Sequence, residues 1–298
     1  MRYFVGPGED RTLDEEMRRE LRGSFVPLTD GTTHYELSGP TDGELAVLVG
    51  GLTIPLFYWD DVASRLHADG LRTLTYSAYG RGYSDRVHAT YGEALFVRQL
   101  AELMATLGLK HPHHVVGTSM GTLIAMAYTG RQAASVSTLT VLGPAGLTRR
   151  PPPQQLLRSG LVADFVARRF GRRLLEGHLR HNVRDPEQAA ALAAMVLDAY
   201  RYEGSLYALF STLQNFPLYS RHELFRRTGN LGVPTMLIWG ADDQVTPIAH
   251  IDTARALLQP RRTHVITECG HMAPLERPRD VADLLASFAV SQNDWRQP

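Results

Sequence analysis

The sequence predicts an α/β domain on a mostly parallel central sheet, interrupted by an all-helical segment. Leu45 to Val49, continuously apolar, reads as a strand buried on both faces and Val136 to Leu142 as another buried strand, with helically spaced runs between them. From His114 to Ala127 the chain reads HVVGTSMGTLIAMA, a β-branched pair, a glycine-flanked turn, then an apolar helical run. At Thr148-Arg149-Arg150-Pro151-Pro152-Pro153 the composition changes, and from there to Thr228 the periodicity is helical with no strand character.

The bulk properties bound the function. A hydrophobic content of 44% suits a sizeable core, and 31 basic against 31 acidic side chains give no electrostatic reason to expect nucleic acid or an anionic membrane as partner. Nearly all the basic charge is arginine, Lys110 being the sole lysine. One cysteine, Cys269, rules out an internal disulfide and fits a reducing compartment. Residues 1–23 lack the basic start and apolar core of a secretory signal, and no apolar run reaches the length of a membrane span, so a cytoplasmic protein is expected.

Taken in order, residues 1–23 form an N-terminal extension with a short charged helix, Leu13 to Leu21, apolar only at Leu13, Met17 and Leu21. Strands follow from Phe25, at Thr33 to Leu37 by alternation and at Leu45 to Val49 by continuous apolarity, with the Asp42-Gly43 turn between the last two. Phe57 to Ala68 reads as a helix, Leu71 to Tyr76 as a strand, and Ala94 to Leu107 as an amphipathic helix. In the helical segment the spacing predicts helices over Leu156 to Phe170, Leu174 to His181, Pro186 to Tyr200 and Leu206 to Phe216. Strands resume at Pro234 to Trp239 and Thr263 to Thr267, and Pro278 to Phe288 closes the chain, with Glu276 and Pro278 placed to cap it.

Chemistry concentrates at three strand ends. Gly117-Thr118-Ser119-Met120-Gly121 is the G-x-S-x-G pattern, in which glycines two positions either side of a serine let a sharp turn lift its hydroxyl above the sheet. A carboxylate, Asp242 or Asp243, follows one later strand, and His271 follows another. The order serine, acid, histidine is the one this elbow uses. No paired-histidine spacing surrounds His271, so no metal site is expected. The Gly80-Arg81-Gly82 loop matches no phosphate-binding pattern.

With these blocks in hand, the chain resembles the α/β-hydrolase superfamily from about Ser24 to Phe288. Phe25 to Gly31, Leu45 to Val49, Tyr79 to Arg86 and Gly270 to Pro278 each resemble a family block in the expected order. The resemblance implies a core domain over 24–148 and 229–298, with the 149–228 segment a helical cap inserted after the sixth family strand. It selects Asp243 through the pattern Trp-Gly-x-x-Asp-x-x-x-Pro, which ends at Pro247. It also implies a triad of Ser119, Asp243 and His271. One oxyanion donor would be the backbone N–H of Leu52, in a loop where Gly50 stands in place of the usual histidine. The other would be the N–H of Met120, immediately after the nucleophile. The side chains of Leu52 and Met120 would line the pocket. The cap aromatics are expected mainly to hold the cap together, and its arginines Arg168, Arg169, Arg172, Arg173 and Arg180 either bind a carboxylate or form a solvated face.

The expected function is a serine hydrolase cleaving a small or medium, largely apolar carboxylic ester through an acyl-enzyme. No metal or organic cofactor and no nucleic-acid or membrane partner is expected, the partner being a small carbonyl substrate. A thioesterase or carbon–carbon bond hydrolase shares the triad, and a non-catalytic receptor that keeps the fold is the alternative of another class.

Overall fold

A computed structural model of the chain describes residues 1–109, 112–179 and 183–293, so Lys110 and Arg180 lie outside the described residues. Eight strands form one sheet in the order β1-β2-β4-β3-β5-β6-β7-β8. They are β1 (Ser24–Pro27), β2 (Thr32–Ser38), β3 (Leu45–Val49), β4 (Arg72–Tyr76), β5 (His113–Thr118), β6 (Val136–Leu142), β7 (Thr235–Gly240) and β8 (Arg262–Ile266). Only β2 runs antiparallel to its neighbours β1 and β4; the other pairings are parallel. As central strands covered on both faces, β5, β6 and β7 are buried at every residue, their His, Ser and Thr side chains included. Asp42-Gly43 does turn the chain, but the strands it joins are not neighbours, because β4 lies between β2 and β3.

The helices are α1 (Glu15–Glu20), α2 (Asp60–Ala68), α3 (Glu93–Thr106), α4 (Met120–Arg131), α5 (Pro152–Gln155), α6 (Gly160–Leu179), α7 (Pro186–Ala199), α8 (Ser205–Asn215), α9 (His222–Gly229), α10 (Ile251–Leu258), α11 (Ala273–Glu276) and α12 (Pro278–Asn293). α2 packs on α12, while α3, α4, α9 and α10 make a second run of neighbours, the two layers a parallel sheet requires. No helix among the described residues is long and apolar enough to cross a membrane.

Between Pro152 and Gly229 the named elements are all helical, and one isolated bridge joins Tyr202 to Arg11. Of the two helices expected over Leu156 to Phe170 and Leu174 to His181, the described residues form one, α6, running through Gly171 after a 3-10 turn at Leu156–Arg158, and His181 lies outside the described residues. That glycine is an approach point: a methyl group there would lie 3.1 Å from the Phe210 ring of α8. The N-terminal extension is helical only over α1. Ahead of it, the buried Glu9 carboxylate accepts the N–H groups of Gly204 at 2.9 Å and Leu206 at 2.5 Å, fastening the extension to the start of α8.

Candidate active site

Ser119 sits between β5 and α4 with φ 52° and ψ −120°, a conformation that costs a non-glycine residue about 1–3 kcal/mol. The flanking glycines make it possible. A methyl group on Gly121 would lie 2.4 Å from the Val49 carbonyl oxygen and 2.5 Å from that of Gly50, and one on Gly117 would lie 2.6 Å from the Gly121 oxygen. The sharp turn leaves Ser119 half-buried, at the wall of a cavity of about 800 Å³ beneath the cap.

The two carboxylates that the spacing leaves open are separated by their surroundings. Asp242 is half-exposed and ion-paired with Arg184 at 3.1 Å, whereas Asp243 is 3% exposed. Asp243 Oδ1 accepts the backbone N–H groups of Val245 and Thr246, both at 2.8 Å, and its Oδ2 lies 2.8 Å from His271 Nδ1. A carboxylate can only accept there, so Nδ1 carries the ring proton and a neutral imidazole keeps its lone pair on Nε2.

The backbone of Ser119 and this pair both pack against the loop that begins at Gly143. Ser119 donates its N–H to the Leu142 carbonyl at 3.0 Å and its own carbonyl accepts the N–H of Ala145 at 3.3 Å, so its backbone bonds to residues on both sides of Gly143. Gly143 has φ +47°, and a methyl group on it would lie 3.1 Å from Asp243 Oδ2 and 3.6 Å from His271 Nδ1. Among the described residues the Ser119 hydroxyl makes no hydrogen bond. Hydrogen bonds of this kind often tighten only once substrate is bound.

The Leu52 loop also reaches the serine: a methyl group on Gly51 would lie 3.3 Å from Ser119 Cβ. At Gly50 a side chain would make only ordinary contact, 3.5 Å from the Ile54 oxygen, so sterics do not require glycine there. Leu52 and Met120 both line the cavity, and neither N–H donates to a protein acceptor among the described residues. The Leu52 carbonyl is held by Nε of Arg81 at 2.7 Å. Arg81 is fully buried, and its other nitrogens reach the Tyr79 carbonyl and Thr212 of α8, joining the loop to the cap. Burial lowers its pKa.

Three polar residues here have roles that the sequence did not assign them. The Thr246 hydroxyl lies 2.8 Å from Asp243 Oδ2, 3.1 Å from the Gly143 carbonyl and 3.3 Å from His271 Nδ1, tying the strand ends together. Its backbone carbonyl accepts from the Trp239 indole at 2.7 Å. Glu276 does not cap α12, as its position suggests. Its buried carboxylate accepts the N–H groups of Gly270 at 3.0 Å and Met272 at 3.1 Å, gripping both neighbours of His271, and that of Arg184 at 3.3 Å. The physical reason is demand: the histidine loop has unpaired donors turned inward, and a buried carboxylate satisfies them. Arg81 is the third, hidden in a glycine-rich turn. Cys269 is buried and its thiol is pushed up to about 12, leaving it unreactive.

The cavity is mainly apolar, with Leu157, Val166, Leu175, Leu209, Phe210 and Leu218 in its wall and Arg149, His178 and Tyr219 among its polar groups. Of the cap aromatics, Phe210 and Tyr219 line it; Tyr200, Tyr202 and Phe216 are buried elsewhere and Phe165 and Phe170 are exposed. Arg168 and Arg172 pair with Asp164 and Glu176 along α6, and none of the four described arginines named from sequence lines the cavity. A second, open depression beside α10 carries no serine, cysteine or histidine. Among the described residues no group of three or more histidine, cysteine or carboxylate side chains could hold a metal.

A mostly parallel sheet with a strained serine at the end of its fifth strand, and an acid and histidine at the ends of the seventh and eighth, defines the α/β-hydrolase class. The model of the family described as alpha/beta hydrolase fold matches residues 47–278, and the chain belongs to that family. It is 29% identical over 209 residues to the monoacylglycerol lipase ABHD6 of Mus musculus, a match covering 65% of this chain and 60% of the lipase. The chain thus spans less than two thirds of that relative. It is 25% identical over 296 residues to a 2-hydroxy-6-oxononadienedioate/2-hydroxy-6-oxononatrienedioate hydrolase of Paraburkholderia phymatum, covering 88% of this chain and 99% of that one. Among solved structures, a thermophilic esterase from Thermogutta terrifontis superposes with a TM-score of 0.78 at 20% identity, covering 91% of this chain and 99% of that one.

Proposed function

We propose that this α/β hydrolase is a serine esterase acting on carboxylic esters with a largely apolar acyl group. The observation that carries the reading is the buried 2.8 Å contact of Asp243 with His271, packed on the Gly143 loop that the backbone of Ser119, on its strained turn, also contacts. Ser119 attacks the ester carbonyl while His271 Nε2 takes its proton, and the imidazolium that forms is stabilised by Asp243. As the carbonyl becomes tetrahedral, its oxygen gains negative charge and is met by the N–H groups of Leu52 and Met120. His271 returns the proton to the leaving alcohol, and water activated by the same ring releases the acid. The leucine-rich wall favours an apolar acyl chain over the dicarboxylate named for the Paraburkholderia relative, since Arg149 is the one arginine in the described lining.

The test is covalent labelling by a fluorophosphonate probe, followed by a rate screen across p-nitrophenyl esters, acyl thioesters and a vinylogous diketone. Labelling is expected to vanish in Ser119→Ala, with turnover reduced about a millionfold. A chain that neither labels nor turns over any of these substrates is a receptor, and the esterase reading fails.

A further inference from the structure

The cap carries an exposed apolar surface that extends beyond the cavity and that ester hydrolysis inside it does not require. Five of the eight large apolar side chains exposed among the described residues lie between positions 156 and 174: Leu156, Leu161, Phe165, Phe170 and Leu174. Single exposed apolar residues are ordinary, but a cluster of this kind marks an interaction surface. Helix α6 shows how it arises. Ala163, Ala167, Gly171, Leu175 and Leu179 recur every four residues and are buried, α6 packing against α8. Another face, at the same interval, reads Leu161, Phe165, Arg169, Arg173, with Leu161 86% and Phe165 63% exposed. Phe165 and Phe170 meet edge to face at 6.2 Å. Leu156 and Leu174 are both exposed and part of the cavity wall, so the patch runs into the cavity mouth.

Charge identifies what covers it. Residues 149–179 hold seven arginines against two carboxylates, and those two are already paired with Arg168 and Arg172. Arg149, Arg158, Arg169 and Arg173 are exposed, and among the described residues none of them is ion-paired. Because the whole chain balances at 31 and 31, the remainder is net acidic, and the molecule is polarised with its basic end at the cap. A second copy is disfavoured as the occupant, since pairing this face with itself would set like charges against each other.

We propose that this face of the cap docks on an anionic phospholipid surface, its leucines and phenylalanines entering the acyl boundary while the unpaired arginines meet lipid phosphates. The attachment is peripheral, in place of the absence of a membrane partner expected from the overall charge. Resting on the esterase reading, the consequence is that an acyl ester passes from the lipid directly into the cavity mouth.

The test is co-sedimentation of the full chain with vesicles of phosphatidylcholine alone and of phosphatidylcholine mixed with phosphatidylglycerol, at low and high salt. Binding is expected at least about tenfold tighter to the mixed vesicles and to weaken with salt. Arg169→Gln combined with Arg173→Gln should weaken it about 25-fold, roughly fivefold for each arginine. Leu161→Ser with Phe165→Ser should abolish it, and both double variants should keep full hydrolysis of a soluble short ester and full fluorophosphonate labelling. Absence of vesicle binding, or equal salt-insensitive binding to both lipids, overturns the docking proposal. So does self-association in sedimentation velocity that Phe165→Ser removes. Labelling without vesicle binding refutes docking and leaves the esterase standing; vesicle binding without labelling upholds docking and refutes the esterase.

Discussion

Replacing Asp243 by asparagine probes the proposed chemistry without changing the shape of the site. The two carboxylate oxygens have different partners: Oδ1 receives two backbone N–H groups at 2.8 Å, and Oδ2 faces His271 Nδ1 and the Thr246 hydroxyl, each at 2.8 Å. An asparagine must leave its carbonyl oxygen toward the two N–H groups, because its NH₂ there would confront two donors. The NH₂ therefore takes the Oδ2 place and donates to His271 Nδ1. The ring then carries its proton on Nε2, where the base is needed, and also loses the negative charge that stabilises the imidazolium. A substitution of this kind lowers kcat by about 10⁴, equivalent to about 5.5 kcal/mol in the activation barrier. The assay is initial-rate hydrolysis of a p-nitrophenyl ester over a substrate series, with thermal melting in parallel. KM and the melting temperature should change little. A kcat within about tenfold of the parent enzyme, less than about 1.4 kcal/mol, would refute the orienting role given to Asp243.

Three further outcomes follow from the same contacts. Gly121→Ala forces a methyl group onto the Val49 and Gly50 carbonyls, so calorimetry should show a loss of about 1–3 kcal/mol, together with loss of fluorophosphonate labelling; a parent-like melting curve would show that the elbow is not sterically closed. Glu276→Gln replaces one of two accepting oxygens with a donor, freeing the loop that carries His271; kcat should fall about ten- to a hundredfold at unchanged KM, and an unchanged kcat would show that the loop holds itself. Burial lowers the pKa of His34 to about 4 from an ordinary 6.5, so between those values the unfolded chain binds more protons. Stability is then whole above about pH 6.5 and is lost as pH falls, by about 2 kcal/mol near pH 5. Denaturant titrations at neutral and acid pH check this, and His34→Gln should flatten the dependence; an equal loss in that variant would assign the acid sensitivity to other groups.

Local rules were enough for much of the architecture. A strand buried on both faces is mostly apolar or β-branched, so β3, β6 and β7 were visible as short runs and the Val115-Val116 pair marked β5, and the helical period marked α3, α7 and α8 within a residue or two. The elbow was equally visible, because its steric requirement falls on residues close in the chain, Gly117 and Gly121 around Ser119. Where a residue's role depends on what faces it from elsewhere, the pattern misled. The gap left between Phe170 and Leu174 is continuous helix, with Gly171 the point where α6 touches α8; Glu276 looked like a cap and is the grip on the His271 loop.

From its sequence alone this protein had a determined sheet, an elbow, an all-helical insertion and a serine–acid–histidine order, since each of these is written in residues near one another along the chain. Tertiary structure alone gave Asp242 and Asp243 their different surroundings, set Thr246 and Arg81 beside the site, and joined the cap's exposed apolar side chains to the cavity through Leu156 and Leu174. The reason is physical: identical side chains acquire different roles through burial and through partners that folding brings from distant positions, and neither is encoded in local spacing.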